Sequence, residues 1–250
     1  MGSERTAVVT GGAKRIGAAM ARALAADGWH LLIHCNASRA EAEALAAELG
    51  AATVVSADLA EPDCAERVMA ALDGLPPPAL LVNNASRFDL DLFGDFDVAQ
   101  WDRHMAVNVR APVLLARGFA AAVPEGQHAL VVNLLDAKLA QPNPDFFSYT
   151  VSKQALAGAT ELLARVLAPR GIRVCGIAPA VTLVSGPQSR ENFEKAHRMT
   201  ALGTGVSVDD LVAALRFLIA TPTITGQTIA IDAGQRFLGL PRDVQFMETE

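Results

Sequence analysis

The segment Thr10-Gly11-Gly12-Ala13-Lys14-Arg15-Ile16-Gly17 decides how this chain folds. A short apolar run, 5–9, precedes it, and the alanine-rich pattern of a helix, 16–27, follows it. Glycine lets the backbone turn sharply from strand into helix and approach a ligand closely. A helix opening at such a turn presents free N–H groups and the positive end of its dipole, which suits a phosphate. Lys14 and Arg15 bring positive charge to the same place. Alone, such a turn is equally a plain strand-to-helix connection, so the surrounding pattern has to decide.

That pattern is an alternation. Further strand-like apolar runs fall at 30–34, 53–57, 79–82, 128–134, 172–178 and 228–231. Helical stretches fall between them at 38–49, 61–72, 98–122, 150–168 and 207–220. Ser38 followed by Glu41 reads as a capping box opening the second helix, and Gly28, Gly50 and Gly171 stand where helices stop. The reading is an α/β fold: a Rossmann-type, doubly wound sheet of about seven parallel strands with helices on both faces. It is expected to form one domain over 1–250. In such a sheet the loops at the carboxyl ends of strands make the ligand crevice. The irregular stretches 86–97, 138–147 and 180–206 all follow strands and are expected to wall a substrate pocket, with 180–206 long enough for a lid and 235–250 a tail.

Composition narrows the function. Half the residues are hydrophobic, 51%, and 19% are charged, enough apolar material for a large core. The net charge of −6 and the lack of a lysine or arginine block argue against nucleic-acid or anionic-membrane partners. Cys35, Cys64 and Cys175 form no CxxC pair or Cys/His cluster, so no metal site is expected and free buried thiols in a reducing cytoplasm are the plain reading. Arg5 to Thr10 follows the start directly, with no signal-peptide pattern, and no stretch reads as a membrane span.

The end of the second strand selects a dinucleotide. NAD binding usually needs an acid there for the ribose hydroxyls. His34-Cys35-Asn36-Ala37-Ser38-Arg39 contains none. A carboxylate would repel a 2′-phosphate, whereas Arg15, His34 and Ser38, with Arg39 close by, suit one, which favours NADPH. The plain alternative makes His34 a strand end and Arg39 an exposed helix residue. Asp58, before Leu59, is either an acceptor for the adenine amine or the N-cap of the next helix. Asn83-Asn84-Ala85-Ser86 supplies small residues against which a cofactor can lie.

Tyr149, the only tyrosine, precedes Lys153 by four positions, which places both on one face of a helix. A nearby ammonium is expected to stabilise the phenolate and make Tyr149 a proton donor near neutral pH. The bland reading is an ordinary helix start with an exposed lysine.

The glycine turn, the Asn-Asn-Ala segment and the Tyr149/Lys153 pair, in this order and over nearly the whole chain, resemble the short-chain dehydrogenase/reductase family. The resemblance implies a cofactor site built from Gly11, Lys14, Arg15, Ile16 and Gly17, then His34, Asn36 and Ser38, then Asp58 and Leu59, then Asn84, Ala85 and Ser86, completed by Tyr149, Lys153 and Pro179. It implies that Asn108 helps hold a water beside Lys153, and that the protein is a homotetramer. Ile224 to Gly234 is similar to the family's last strand region. Three departures resemble the pteridine reductase branch: Asp136 where the family has serine, Arg15 where most members have glycine, and Phe88 after Ser86-Arg87. That branch implies that Asp136 and Tyr149 work together, that Arg15 and Ser86 approach the substrate, and that Phe88 stacks on a pterin. Pro179-Ala180 replaces the family's proline-glycine, and Arg87 replaces a smaller residue.

The expected function is NADPH-dependent reduction of a pterin, dihydropterin or dihydrofolate-like small molecule, with Tyr149, Lys153, Asp136 and Asn108 catalytic. The alternatives are a reductase of an unrelated carbonyl compound, and a dinucleotide-binding regulator that has lost catalysis.

Overall fold

The computed structural model describes residues 4–185 and 188–247. Seven strands form one sheet in the order β3-β2-β1-β4-β5-β6-β7, and every pairing is parallel. They are β1 Thr6–Val9, β2 His30–Cys35, β3 Ala52–Ser56, β4 Pro78–Asn83, β5 Ala129–Leu134, β6 Ile172–Pro179 and β7 Thr228–Ile231. Each lies within two residues of its expected bounds.

Side-chain alternation along the strands builds two apolar layers. Ala7, Val9, Leu31 and Ile33 belong to one layer, under helices α1 (Arg15–Ala26), α2 (Arg39–Leu49) and α8 (Val208–Ala220). Val8, Leu32, Leu81 and Val131 belong to the other, under α3 (Cys64–Ala70), α5 (Ala111–Ala122) and α6 (Phe147–Leu167). All four residues of β1 are fully buried, as a central strand covered on both faces requires. The strand order reverses between β1 and β4, which opens a crevice at their carboxyl ends.

Several local expectations are corrected. Residues 98–122 are not one continuous helix: α4 (Val98–Met105) passes through a π-turn, Ala106–Arg110, before α5. Pro112 has no N–H to donate to the Asn108 carbonyl and its ring crowds that carbonyl, so the helix widens there. Ser38 makes no side-chain cap bond, and Glu41 turns instead to Lys14, 2.5 Å away. The capping box in this structure is Ser207 with Asp210, opening α8. The third helix starts six residues after Asp58, so Asp58 is not its N-cap; its carboxylate accepts from the Ala60 N–H. The irregular stretch 180–206 contains a helix, α7 (Arg190–Arg198), capped by Ser189, while residues 186 and 187 of the expected lid lie outside the described residues. Gly28, Gly50 and Gly171 do stop helices, each with positive φ.

All three cysteines are free and buried. Among the described residues, no helix is long and apolar enough to cross a membrane.

Candidate active site

The glycine turn sits at the strand-order reversal and is braced from β4. Asn84 Nδ2 donates to the carbonyls of Thr10 and Gly11, at 2.9 and 3.1 Å, and the Asn84 and Ala85 N–H groups both donate to Thr10 Oγ1. Gly11 has φ +59°, and a Cβ on Gly17 would lie 2.3 Å from the Gly11 carbonyl oxygen. No side chain caps the first turn of α1. A groove of about 570 Å³ runs from this turn past Asn36, Asp58, Leu59 and Asn84 to Ser86.

His34 has a different part from the one expected. It is 1% exposed; its Nδ1 accepts from the Gly11 N–H and its Nε2 donates to the Ala57 carbonyl. Burial holds its pKa below the usual value, so the ring is neutral at pH 7 and both nitrogens are engaged by main chain. It is a strut under the glycine turn, with no nitrogen left for a phosphate in this arrangement. Asn36 is exposed and lines the groove, Ser38 is half-buried and does not line it, Lys14 is paired with Glu41, and Arg39 with Glu43. No acid ends β2.

Arg15 adopts φ +55°, a left-handed conformation that costs a non-glycine residue about 1–2 kcal/mol. It lines both the groove and the adjoining pocket, and its Nη1 donates to the Val184 carbonyl at 2.7 Å, tying the turn to the 180–206 segment.

Beyond Arg15 the groove joins a second pocket of about 270 Å³, and here Asp136, Tyr149 and Lys153 come together. Tyr149 is 6% exposed and its hydroxyl donates to Asp136 Oδ2 at 2.7 Å. Asp136 Oδ1 accepts from the Lys138 N–H, which fixes the carboxylate. Lys153 is 3% exposed, donates to the Leu134 carbonyl at 2.6 Å, and lies 5.8 Å from the centre of the Tyr149 ring. The expected electrostatics is reversed for the phenol. Burial and the Asp136 carboxylate push the Tyr149 pKa well above its ordinary value, and the ammonium does not bring it down. Burial also lowers Lys153, to about 8.

The chain belongs to the short-chain dehydrogenase family. Its profile, described as short chain dehydrogenase, matches residues 5–195. Among curated relatives, Pteridine reductase 1 of Leishmania tarentolae is 31% identical over 277 residues, covering 91% of this chain and 95% of that one. L-xylulose reductase of Mesocricetus auratus is 30% identical over 242 residues, covering 92% and 96%. Among solved structures, FolM Alternative dihydrofolate reductase 1 from Brucella canis, complexed with NADP, superposes with a TM-score of 0.90 at 45% identity, covering 95% of this chain and 96% of that one. The protein is thus an oxidoreductase of this family.

Two features of this short-chain dehydrogenase bear on its family's expected residues. Asn108 is fully buried in the π-turn and its side chain clamps the 86–97 loop: Oδ1 accepts from Ser86 Oγ and the Arg87 N–H, and Nδ2 donates to the Arg87 carbonyl and Ser152 Oγ. Lys153 is not among its side-chain partners. Ala180, in place of the family's glycine, continues the sheet by donating its N–H to the Ile231 carbonyl, and its φ is not positive, so alanine fits without strain.

The pocket walls come from all three expected stretches and from one that was not expected. Phe88 lines the pocket, with Phe146 stacked on it at 4.2 Å and the Tyr149 ring edge-on at 4.6 Å. Leu183 and Gln188 contribute from 180–206. The tail supplies Asp243, Val244 and Gln245. It is folded onto its own chain, held by Arg242 against Asp145; residues 248–250 of that tail lie outside the described residues.

A buried polar chain, also missed in the sequence, fixes the start of α6. The Asp89 N–H donates to His104 Nε2, so His104 Nδ1 carries the proton and donates to Ser148 Oγ at 2.8 Å. Ser148 Oγ donates to Asp91, whose other oxygen accepts the Ser148 N–H at 3.0 Å. The loop carrying Phe88 is thereby fastened to the residue beside Tyr149. Asp91→Ala leaves buried donors unpaired and is expected to cost about 2–3 kcal/mol, lowering Tm by about 4–12 °C in a thermal melt.

Proposed function

We propose that this protein is an NADPH-dependent reductase of dihydropterin- or dihydrofolate-like substrates, with Tyr149 as the proton donor. The observation that carries the reading is the hydrogen bond from the Tyr149 hydroxyl to Asp136 at the junction of groove and pocket. A serine hydroxyl there would suit a ketone oxygen; a carboxylate holding the phenol suits proton delivery to a ring nitrogen. Phe88 offers the flat wall that a heteroaromatic ring needs. The relatives whose names include pteridine reductase and alternative dihydrofolate reductase support the same substrate class.

The residues present fit a dinucleotide. The cradle at Gly11 and Gly17 leaves room for no side chain, the first turn of α1 has no protein cap, and β2 ends without an acid that would repel a 2′-phosphate. The solved relative from Brucella canis holds NADP. Gly11, Ile16 and Gly17 would hold the phosphates; Lys14, Asn36 and Ser38 the 2′-phosphate end; Asp58 and Leu59 the adenine; Asn84, Ala85, Ser86 and Pro179 the remainder. When bound, the nicotinamide supplies hydride to the carbon of a polarised C=N bond.

Tyr149 is protonated at neutral pH, the form a donor must have. Asp136 accepts its hydrogen bond and so aims the hydroxyl. After the proton leaves, the Lys153 ammonium, 5.8 Å from the ring centre, is a positive charge near the phenolate, too weak at that separation to offset burial and Asp136. Lys153 holds its proton below pH about 8 and loses it above. Accordingly kcat/KM is expected to fall as pH rises through about 8, and a pH–rate profile checks this.

Gly17→Ala forces a Cβ against the Gly11 carbonyl and Asn84. It is expected to weaken NADPH binding roughly 10–100-fold, read by fluorescence titration, since overpacking costs about 1–3 kcal/mol.

The substrate reading is tested by NADPH oxidation with a panel of dihydropterins, dihydrofolate and simple ketones, repeated with NADH. Turnover with the reduced pterins and preference for NADPH are expected; turnover confined to ketones contradicts the reading. Tight NADPH binding without any turnover would favour a regulator. We further propose one domain over 1–250, cytoplasmic residence, a gating role for 180–206, and a homotetramer paired through α5 and α6, where Leu162 and Val166 are exposed. Sedimentation analysis measures the assembly.

A further inference from the structure

The pocket wall supplied by the tail makes no hydrogen bond to Tyr149 or Asp136 among the described residues, although its Asp243 carboxylate is near enough to add a little to the rise in the Tyr149 pKa. Arg242 Nε donates to both carboxylate oxygens of Asp145, at 2.9 and 2.8 Å, and the Asp243 N–H donates to Asp145 Oδ2 at 2.7 Å. Phe246 stacks on Phe146 at 5.9 Å. These contacts carry Asp243 to the pocket that holds Asp136 and Tyr149.

Asp243 Oδ1 accepts only the Gln245 N–H, at 3.1 Å. Its Oδ2 forms an ion pair with Lys138 Nζ at 3.7 Å, longer than a direct hydrogen bond, and Lys138 also donates to the Asp145 carbonyl. The Asp243 side chain is 13% exposed. On the same pocket lining, Asn143 Oδ1 is buried and has no hydrogen-bond partner. A buried acceptor without a donor is unfavourable until something supplies one. Asn143 Oδ1 is in that condition, and Asp243, with one hydrogen bond and one loose ion pair, keeps acceptor capacity on the same lining; together they make an edge that suits a ligand's N–H or O–H groups.

We propose that Asp243 and Asn143 are specificity-determining residues that accept hydrogen bonds from N–H or O–H donors of a neutral heteroaromatic substrate. This rests on the dihydropterin reading of the pocket. Both donor types occur in that class, on the ring and on hydroxylated side chains. Asp243 is a binding residue in this account, while Tyr149 and Asp136 retain the proton chemistry. The tail folded onto its own chain is what delivers Asp243, so substrate selectivity depends on the Asp145–Arg242 clasp.

The test compares wild type, Asp243→Ala, Asp243→Asn and Asn143→Ala on dihydrobiopterin, which has side-chain hydroxyls, and 6-methyl-dihydropterin, which has none. A hydrogen bond to a charged acceptor corresponds to roughly a 10–100-fold effect. Asp243→Ala is expected to raise KM by about that factor, with kcat within about threefold and NADPH affinity unchanged. Asp243→Asn, which keeps the acceptor bonded to Gln245 but not the charge, is expected to fall between. A rise on both substrates identifies ring N–H donors, and a rise on dihydrobiopterin alone identifies the hydroxyls; either supports the proposal. Unchanged KM on both, or a fall in kcat at constant KM, overturns it. If wild type turns over neither pterin, the substrate reading fails by itself. The edge is then judged by fluorescence titration of the same compounds, where equal affinity in wild type and Asp243→Ala overturns it.

Discussion

Tyr149→Phe is expected to lower kcat by about 10²–10⁴-fold, the range that a positioned acid contributes. The substitution removes the one hydroxyl bonded to Asp136 and leaves the ring, with its edge contact to Phe88, in place. NADPH affinity should change little and the fold should persist, because only one hydrogen bond is lost. Single-turnover kinetics at saturating dihydropterin, beside a thermal melt, separates the chemical defect from any structural one. Near-normal kcat would remove Tyr149 from the chemistry.

Asp136→Ser restores the residue most of the family carries. It is expected to lower kcat on a dihydropterin by about 100-fold or more, since the carboxylate that holds the phenol is gone. Serine retains an oxygen able to accept the Lys138 N–H, so the local turn after β5 should survive. The same variant assayed on a ketone is the discriminating comparison: a loss confined to the dihydropterin ties the carboxylate to ring-nitrogen chemistry. An equal loss on both substrates would reduce Asp136 to a support for the turn.

The sheet was legible because each strand is a short apolar run bounded by helical patterns, and burial on both faces leaves little other choice for residues such as Leu31-Leu32-Ile33. The four-residue spacing of Tyr149 and Lys153 was legible as one helix face, while their roles and that of Asp136 came from the resemblance to the short-chain dehydrogenase/reductase family. What stayed hidden depends on contacts between distant residues. Nothing near His34 announces that both ring nitrogens meet main chain from residues 11 and 57. The raised pKa of Tyr149 follows from burial beside a carboxylate, which spacing from Lys153 does not convey. The Asp91–Ser148–His104 chain joins three elements across 57 and 44 positions. Helix α7 did carry a signal that the search for apolar periodicity overlooks: Arg190 with Glu194 and Glu191 with Lys195, both four apart. The break at Asn108 was readable from Pro112, four residues on. The tail's place over the pocket rests on Arg242 meeting Asp145, 97 positions away.

The most direct measurement is product analysis under anaerobic conditions: purified protein, NADPH and a 7,8-dihydropterin, with tetrahydropterin quantified against NADPH consumed. One tetrahydropterin formed for each NADPH oxidised is the expected result, abolished in Tyr149→Phe. NADPH consumption without tetrahydropterin, or the same yield from the phenylalanine variant, would contradict the account.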